Sequence, residues 1–251
     1  MPEKPDATDL RNGSQRLPTC FWAFIHSLLV ARIRALKRII ITGGTGGLGG
    51  AVASVFRENG WETIQLGRRD LDLSDETAVK EFFRREACDV LVCAAGMVND
   101  IPLARMPESA WDDVFGLNYT AGERCARAAL PGMAERGCGH VVFISSHAAI
   151  DPTIGQVAYG AAKAALLGLT SSLAEAWGRK GIRINAVLPG FLETAMTAGV
   201  SAKRREAVMK DHRLGQLNTK EAAADFIFFL EGRMPHTSGQ VFQLDSRRGF
   251  F

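Results

Sequence analysis

A β-branched run, Arg38-Ile39-Ile40-Ile41-Thr42, passes without a spacer into Gly43-Gly44-Thr45-Gly46-Gly47-Leu48-Gly49-Gly50 and then into a helical pattern that Gly60 closes. Three consecutive isoleucines suit a strand buried on both faces, and the glycines permit a tight turn before the helix. The alternation then repeats. Strands are predicted over 62–66, 89–93, 140–145, 183–188 and 241–244. Helices are predicted over 75–86 (with Ser74 as N-cap), 109–136, 158–177 and 219–230. Strands separated by helices imply an α/β chain: one doubly wound parallel sheet of Rossmann type, with helices on both faces. No internal repeat or interdomain linker interrupts the pattern from residue 38 to 251.

Composition removes several classes of function. Of 251 residues, 47% are hydrophobic and 23% charged, enough for a sizeable core, while the net charge of +3 is too small for a nucleic-acid binder. The clusters Lys203-Arg204-Arg205 and Arg247-Arg248 read as solvated surface. Five cysteines without Cys-x-x-Cys spacing suggest reduced thiols in a cytoplasmic protein, and the five histidines show no ligand spacing, so no metal is expected. Residues 1–37 form a separate extension, a polar leader followed by an apolar run of about twelve residues with a basic end. A membrane span needs about twenty residues. Docking on a partner subunit or a non-native leader is favoured over contact with a membrane surface.

The glycine turn lies where a parallel sheet delivers a helix N-terminus, a place suited to a pyrophosphate. A glycine there lets the backbone approach the anion with no Cβ in the way. At the end of the second strand, Gly67-Arg68-Arg69-Asp70 puts arginines where a 2′-phosphate would sit, which favours NADP(H); Asp70 keeps NAD(H) possible. Farther on, Tyr159-x-x-x-Lys163 places a phenol and an ammonium one helical turn apart, with Ser146 thirteen residues before the tyrosine. The cation is expected to lower the phenol's pKa. Together the three groups can protonate a carbonyl oxygen.

The motifs Thr42-Gly43-x-x-x-Gly47-x-Gly49, Asn118, Ser146, Tyr159-x-x-x-Lys163 and Pro189-Gly190 resemble, in order and spacing, those of the single-domain short-chain dehydrogenase/reductases. The resemblance covers residues 38–245. The stretch Pro189-Gly190-Phe191-Leu192-Glu193-Thr194-Ala195-Met196 and the ending Ser238-Gly239-Gln240-Val241 are most similar to 3-oxoacyl-[acyl-carrier-protein] reductases. It implies that Tyr159 is the general acid, that Ser146 rather than Ser145 binds the same carbonyl oxygen, and that Lys163 holds the nicotinamide ribose. Asn118 would order a water that relays protons to Lys163. Gly43, Thr45, Gly47, Leu48 and Gly49 would cradle the cofactor's phosphates and Arg68 and Arg69 its 2′-phosphate. Asp72 and Leu73 would meet the adenine, and Ala94-Ala95-Gly96 would line the cofactor. Pro189, Gly190 and Thr194 would position the carboxamide and pyrophosphate, and His147 would line the substrate mouth. The implied activity is NADP(H)-dependent reduction of a ketone to a secondary alcohol. The implied substrate is a 3-oxoacyl thioester, as in fatty acid biosynthesis, carried on an acyl carrier protein, and the implied assembly is a homotetramer or dimer.

Two departures are visible. Cys93-Ala94-Ala95-Gly96 stands where the family usually has Asn-Asn-Ala-Gly. Between Leu66 and Asp72 the usual helix and most of a third strand are missing, a compression shared with nucleotide-sugar reductases. The alternatives are therefore an enzyme of the same family acting on a sugar, a polyketide or another alcohol or ketone, and a non-catalytic NADP-sensing scaffold. A mobile substrate lid is expected over 192–216.

Overall fold

In the computed structural model, residues 36–248 are described; the leader and the apolar helix expected before them lie outside the described residues. Six parallel strands form one sheet: β1 (Arg38–Thr42), β2 (Glu62–Leu66), β3 (Val90–Cys93), β4 (Gly139–Ile144), β5 (Ile182–Leu188) and β6 (Val241–Gln243). Their order is β2-β1-β3-β4-β5-β6. The six-stranded dinucleotide fold has one more strand outside β2. Here the compressed segment after Leu66 leaves β2 at the edge.

The connecting helices are α1 (Gly47–Glu58), α2 (Glu76–Arg85), α3 (Glu108–Phe115), α4 (Ala121–Arg136), α5 (Val157–Trp177), α6 (Ala202–Asp211) and α7 (Lys220–Arg233). Side chains alternate across the sheet as a two-residue period demands. Ile40, Leu91, Val141, Phe143 and Ile184 face one core with Val79, Phe83, Leu130 and Leu166. Ile39, Ile41, Val90, Val92 and Val142 face the other, with Val52, Phe56 and Ile227. The register aligns the carboxyl ends of the strands: Thr42 pairs with Leu66 and with Cys93, Cys93 with Phe143, and Ile144 with Val187. Every loop that follows these ends therefore opens at one edge of the sheet. β1 sits where the chain order reverses, between β2 and β3, which is where ligands bind in such sheets.

Three expectations about elements need correction. The N-cap of α2 is Asp75, whose carboxylate accepts from the backbone N–H groups of Thr77 and Ala78, while Ser74 donates instead to Asp72. The helix expected over 109–136 is broken by a π-helical turn, Gly116–Thr120. The lid segment contains a capped helix, α6, where the Ser201 hydroxyl accepts from the Arg204 N–H. Only Val208 of α6 is buried, so no apolar periodicity announced this helix in the sequence.

Candidate active site

The glycine turn is built by close approach. Gly43 has φ +65°, and a Cβ there would lie 2.8 Å from the backbone of Ala94 and Ala95 beyond β3. At Gly49 a Cβ would lie 2.3 Å from the Gly43 carbonyl, and at Gly47 2.6 Å from the Thr194 side chain. Helix α1 begins here with no side-chain cap and no acidic residue in its first turn, which leaves its N-terminal amides for an anion. The turn therefore fits a dinucleotide pyrophosphate, with Thr194 closing over it. Gly49→Ala should weaken NADPH binding more than 10-fold in a fluorescence titration, because the added methyl displaces the Gly43 carbonyl and reshapes the turn.

From this turn a cavity of about 1150 Å³ runs along the strand ends to Tyr159. It is lined by every expected site residue but one: Gly43, Thr45, Gly47, Leu48, Gly49, Arg68, Asp72, Leu73, Ala94, Ala95, Gly96, Asn118, Ser146, Tyr159, Lys163, Pro189, Gly190 and Thr194. Arg69 is exposed and is not part of the lining. Asp70 turns its carboxylate back onto the Gly67 N–H at 2.8 Å. Asp72 accepts from the N–H and hydroxyl of Ser74, which hold its carboxyl below the usual range. Arg124, which sequence reasoning missed, lines the same end and donates to the Leu73 carbonyl.

At the other end, β4 and α5 are joined by two bonds. The Ser145 hydroxyl donates to the Lys163 carbonyl at 2.8 Å, and the Lys163 ammonium donates to the Ile144 carbonyl at 2.9 Å. Ser145 is thereby committed to the scaffold. Ser146 instead caps a short 3₁₀ turn, His147–Ala149, accepting from the Ala148 N–H at 3.2 Å, so its own proton remains free to donate. Helix α5 comes close to this turn because residue 160 is glycine: a Cβ would lie 2.9 Å from the Ala148 carbonyl and from Pro152. That approach brings Tyr159 beside Ser146, whose hydroxyl favours the phenolate.

Burial governs the electrostatics. It raises the Tyr159 phenol above its ordinary value; the Ser146 hydrogen bond opposes the rise and the charge of Asp100 adds to it. Burial also brings Lys163 down to about 8. The ammonium lies 5.7 Å from the centroid of the Tyr159 ring and donates to Ile144 rather than to the phenol. The expected depression of the tyrosine by its lysine is thus not the balance in this protein, where desolvation of the phenolate prevails.

Asn118 is held by bonds on both sides of its carboxamide. Its amide donates to the carbonyls of Met97 and Val114, both at 2.8 Å, and its Oδ1 accepts from the Met97 N–H at 3.3 Å. The carboxamide clamps the strand extension past Gly96, where a Cβ would lie 2.7 Å from Asn118 Oδ1 and 3.6 Å from Lys163 Nζ. Both side-chain N–H donors are thus engaged within the protein. His147 lines the cavity, as expected, and its Nε2 bonds to the Arg248 carbonyl at 3.1 Å.

Comparisons with known proteins identify the family. Residues 63–246 match a family model described as "Enoyl-(Acyl carrier protein) reductase". The 3-oxoacyl-[acyl-carrier-protein] reductase FabG of Rickettsia felis is 31% identical over 229 residues, which cover 83% of this chain and 95% of the relative. The chain belongs to the short-chain dehydrogenase/reductase family. The FabG of Thermotoga maritima is 30% identical over 236 residues, 83% of this chain and 96% of the relative. Nodulation protein G of Rhizobium sp. is 30% identical over 233 residues, 83% and 95%. Among solved structures, an oxidoreductase of this family from Burkholderia thailandensis superposes with a TM-score of 0.78 at 27% identity, covering 84% of this chain and 92% of the other. A structure titled "ElxO with NADP Bound" gives 0.77 at 27% identity, covering 84% and 98%. This short-chain dehydrogenase/reductase is accordingly an oxidoreductase of a nicotinamide-binding family.

Proposed function

We propose that the protein reduces a ketone to a secondary alcohol at the expense of NADPH. The observation that carries this reading is the meeting of the Ser146 and Tyr159 hydroxyls over Lys163, at the end of a cavity that begins at the glycine turn. When bound, the reduced nicotinamide supplies a hydride to the carbonyl carbon. Ser146 donates a hydrogen bond to the carbonyl oxygen and stabilises the charge developing there. Tyr159, kept protonated by its buried setting, gives its proton to the same oxygen. Lys163 stands beside the phenol, where its positive charge stabilises the phenolate left behind. The proton that restores Tyr159 comes from solvent, so ketone, NADPH and one proton become alcohol and NADP⁺.

Preference for NADP(H) over NAD(H) is supported by Arg68, which lines the adenosine end, and by Asp70, whose carboxylate is occupied by Gly67. By analogy with the FabG relatives, a 3-oxoacyl thioester on a carrier protein is the leading substrate, and a dimer or tetramer the leading assembly. A different ketone is the second reading, favoured by the edge position of β2 and the shortened segment behind the adenosine end. The test is NADPH oxidation followed at 340 nm across β-keto thioesters, cyclic ketones and keto sugars. Turnover of thioesters alone supports the leading substrate. Turnover of another class moves the assignment, and NADPH binding with no turnover anywhere sinks the enzyme reading in favour of a sensor.

A further inference from the structure

The pair Arg247-Arg248 reads as solvated surface in sequence, yet the Arg247 side chain is only 11% exposed and lines the cavity. Its position is fixed from several directions. Nε donates to Asp245 Oδ2 at 2.7 Å and Nη2 lies 2.6 Å from the same oxygen, the backbone N–H donates to Asp245 Oδ1 at 3.3 Å, and the carbonyl accepts from Gln243 Nε2 at 3.1 Å. The Asp245 side chain is fully buried. Burial alone would raise its carboxyl, and bonds from Gln243 and Arg247 outweigh that and hold it below the usual range.

This cluster belongs to the reacting end of the cavity. The next carbonyl, that of Arg248, is bonded to His147, the neighbour of Ser146. Asp245 packs against Gly190, which has φ +92° and follows Pro189 at the end of β5. Arg247 is therefore held between the Ser146 turn and the Pro189-Gly190 turn, far in the fold from Arg68 and the adenosine end.

Nε and Nη2 both lie at Asp245 Oδ2. Nη1 makes no hydrogen bond among the described residues, which leaves part of a pre-organised fork unengaged on a side chain that lines the cavity. The other charges at this end are arranged differently. Asp100 accepts from Gln156 at 3.4 Å and has the positive charge of Arg204 of α6 near it, and Asp151 is exposed on the rim. Met97, Phe191, Leu192 and Val208 supply an apolar wall. A short aliphatic body with one anionic end matches this lining.

We propose that Arg247 is a specificity-determining residue that binds the carboxylate of a keto acid and so presents its ketone to Ser146 and Tyr159. The inference rests on the carbonyl-reduction reading and favours its second substrate class, a ketone other than a thioester. Arg–carboxylate bonds in a partly desolvated site discriminate strongly against a neutral isostere.

The experiment compares kcat/KM for 3-oxobutanoate, 4-oxopentanoate and 5-oxohexanoate with their methyl esters, and with an acetoacetyl thioester. One acid should exceed its own ester by about 10–100-fold, with a KM that rises with salt while that of the ester does not. Arg247→Met leaves the Asp245 carboxylate with only Gln243 and His212 beside it and is expected to loosen the tail, so Arg247→Lys and the double variant Asp245→Asn/Arg247→Gln accompany it. In the folded variants the acid-to-ester ratio should collapse toward one for the double variant and fall partway for lysine. Equal kcat/KM for acids and esters in the wild type, or a ratio that survives in the double variant, overturns the anchor and leaves carbonyl reduction standing. If neither acids, esters nor thioesters oxidise NADPH, the reading of the reaction fails separately. Calorimetry of 4-oxopentanoate with the NADP⁺-bound protein then decides the anchor: binding lost in the double variant supports it, and no binding to the wild type overturns it.

Discussion

Tyr159→Phe should lower kcat for ketone reduction by about 10²–10⁴-fold, the range expected for a lost general acid. NADPH affinity should stay near that of the wild type, because the ring, its packing on α5 and the glycine turn are unchanged. The phenol is held above its ordinary pKa by burial, against the opposing Ser146 bond. It therefore remains an acid through neutral pH, and reduction should fall above neutrality, first as Lys163 loses its charge near pH 8 and then as the phenol deprotonates. The reverse reaction, which needs the phenolate, should gain only where the phenol deprotonates. Single-turnover hydride transfer as a function of pH, in wild type and variant, checks both statements. A variant that retains wild-type transfer removes Tyr159 from the chemistry.

Lys163→Met should abolish turnover and stabilise the fold. The lysine is 4% exposed, its ammonium makes one bond, to the Ile144 carbonyl, and burial brings its pKa from 10.5 to about 8. That shift corresponds to a cost on the order of 3 kcal/mol for holding the charged form at pH 7. The lost bond to Ile144 takes back part of the gain, so about 2 kcal/mol is expected from urea unfolding without cofactor. The sign with pH follows from proton counting. Between about pH 8 and the ordinary lysine value of 10.5, the unfolded chain holds a proton at this site that the folded chain has released. Wild-type stability therefore gains on the variant as pH rises through that window, and the gap between them narrows. A gap that is flat with pH, or a variant less stable at pH 7, rejects this account. The sign also has a functional meaning: the protein retains an unfavourable buried cation where the phenolate and a cofactor ribose would use it.

How much of the site was legible follows from how local each signal is. The strand-to-glycine junction at Thr42-Gly43 and the i, i+4 pair Tyr159 and Lys163 were readable within short stretches of chain, whereas the preference for Ser146 over Ser145 came from the family resemblance. The structure supplies the reason for the last: Ser145 points into the scaffold at Lys163, while Ser146 caps the turn facing the cavity. The π-helical turn at Gly116–Thr120 and helix α6 were not legible, since neither carries a periodic apolar face of its own. Arg247 was misread for a different reason. Its acid partner is only two residues away, but nothing in that spacing shows that the segment after β6 runs under the His147 turn, where Arg248 meets His147 across 101 residues.

The sequence by itself determined the alternation of strands and helices, the glycine turn that fits a pyrophosphate, and the hydroxyl, phenol and ammonium at their spacings. These depend on backbone sterics and on side-chain periods of two and 3.6 residues, which act locally. Only the tertiary structure decided the ionisation of Tyr159, the use of the Asn118 amide on Met97, the turning of Asp70 onto Gly67, and the placement of Arg247 at the reacting end. Each depends on how much water is excluded and which distant group fills the gap, and those quantities exist only once the sheet has brought its strand ends together.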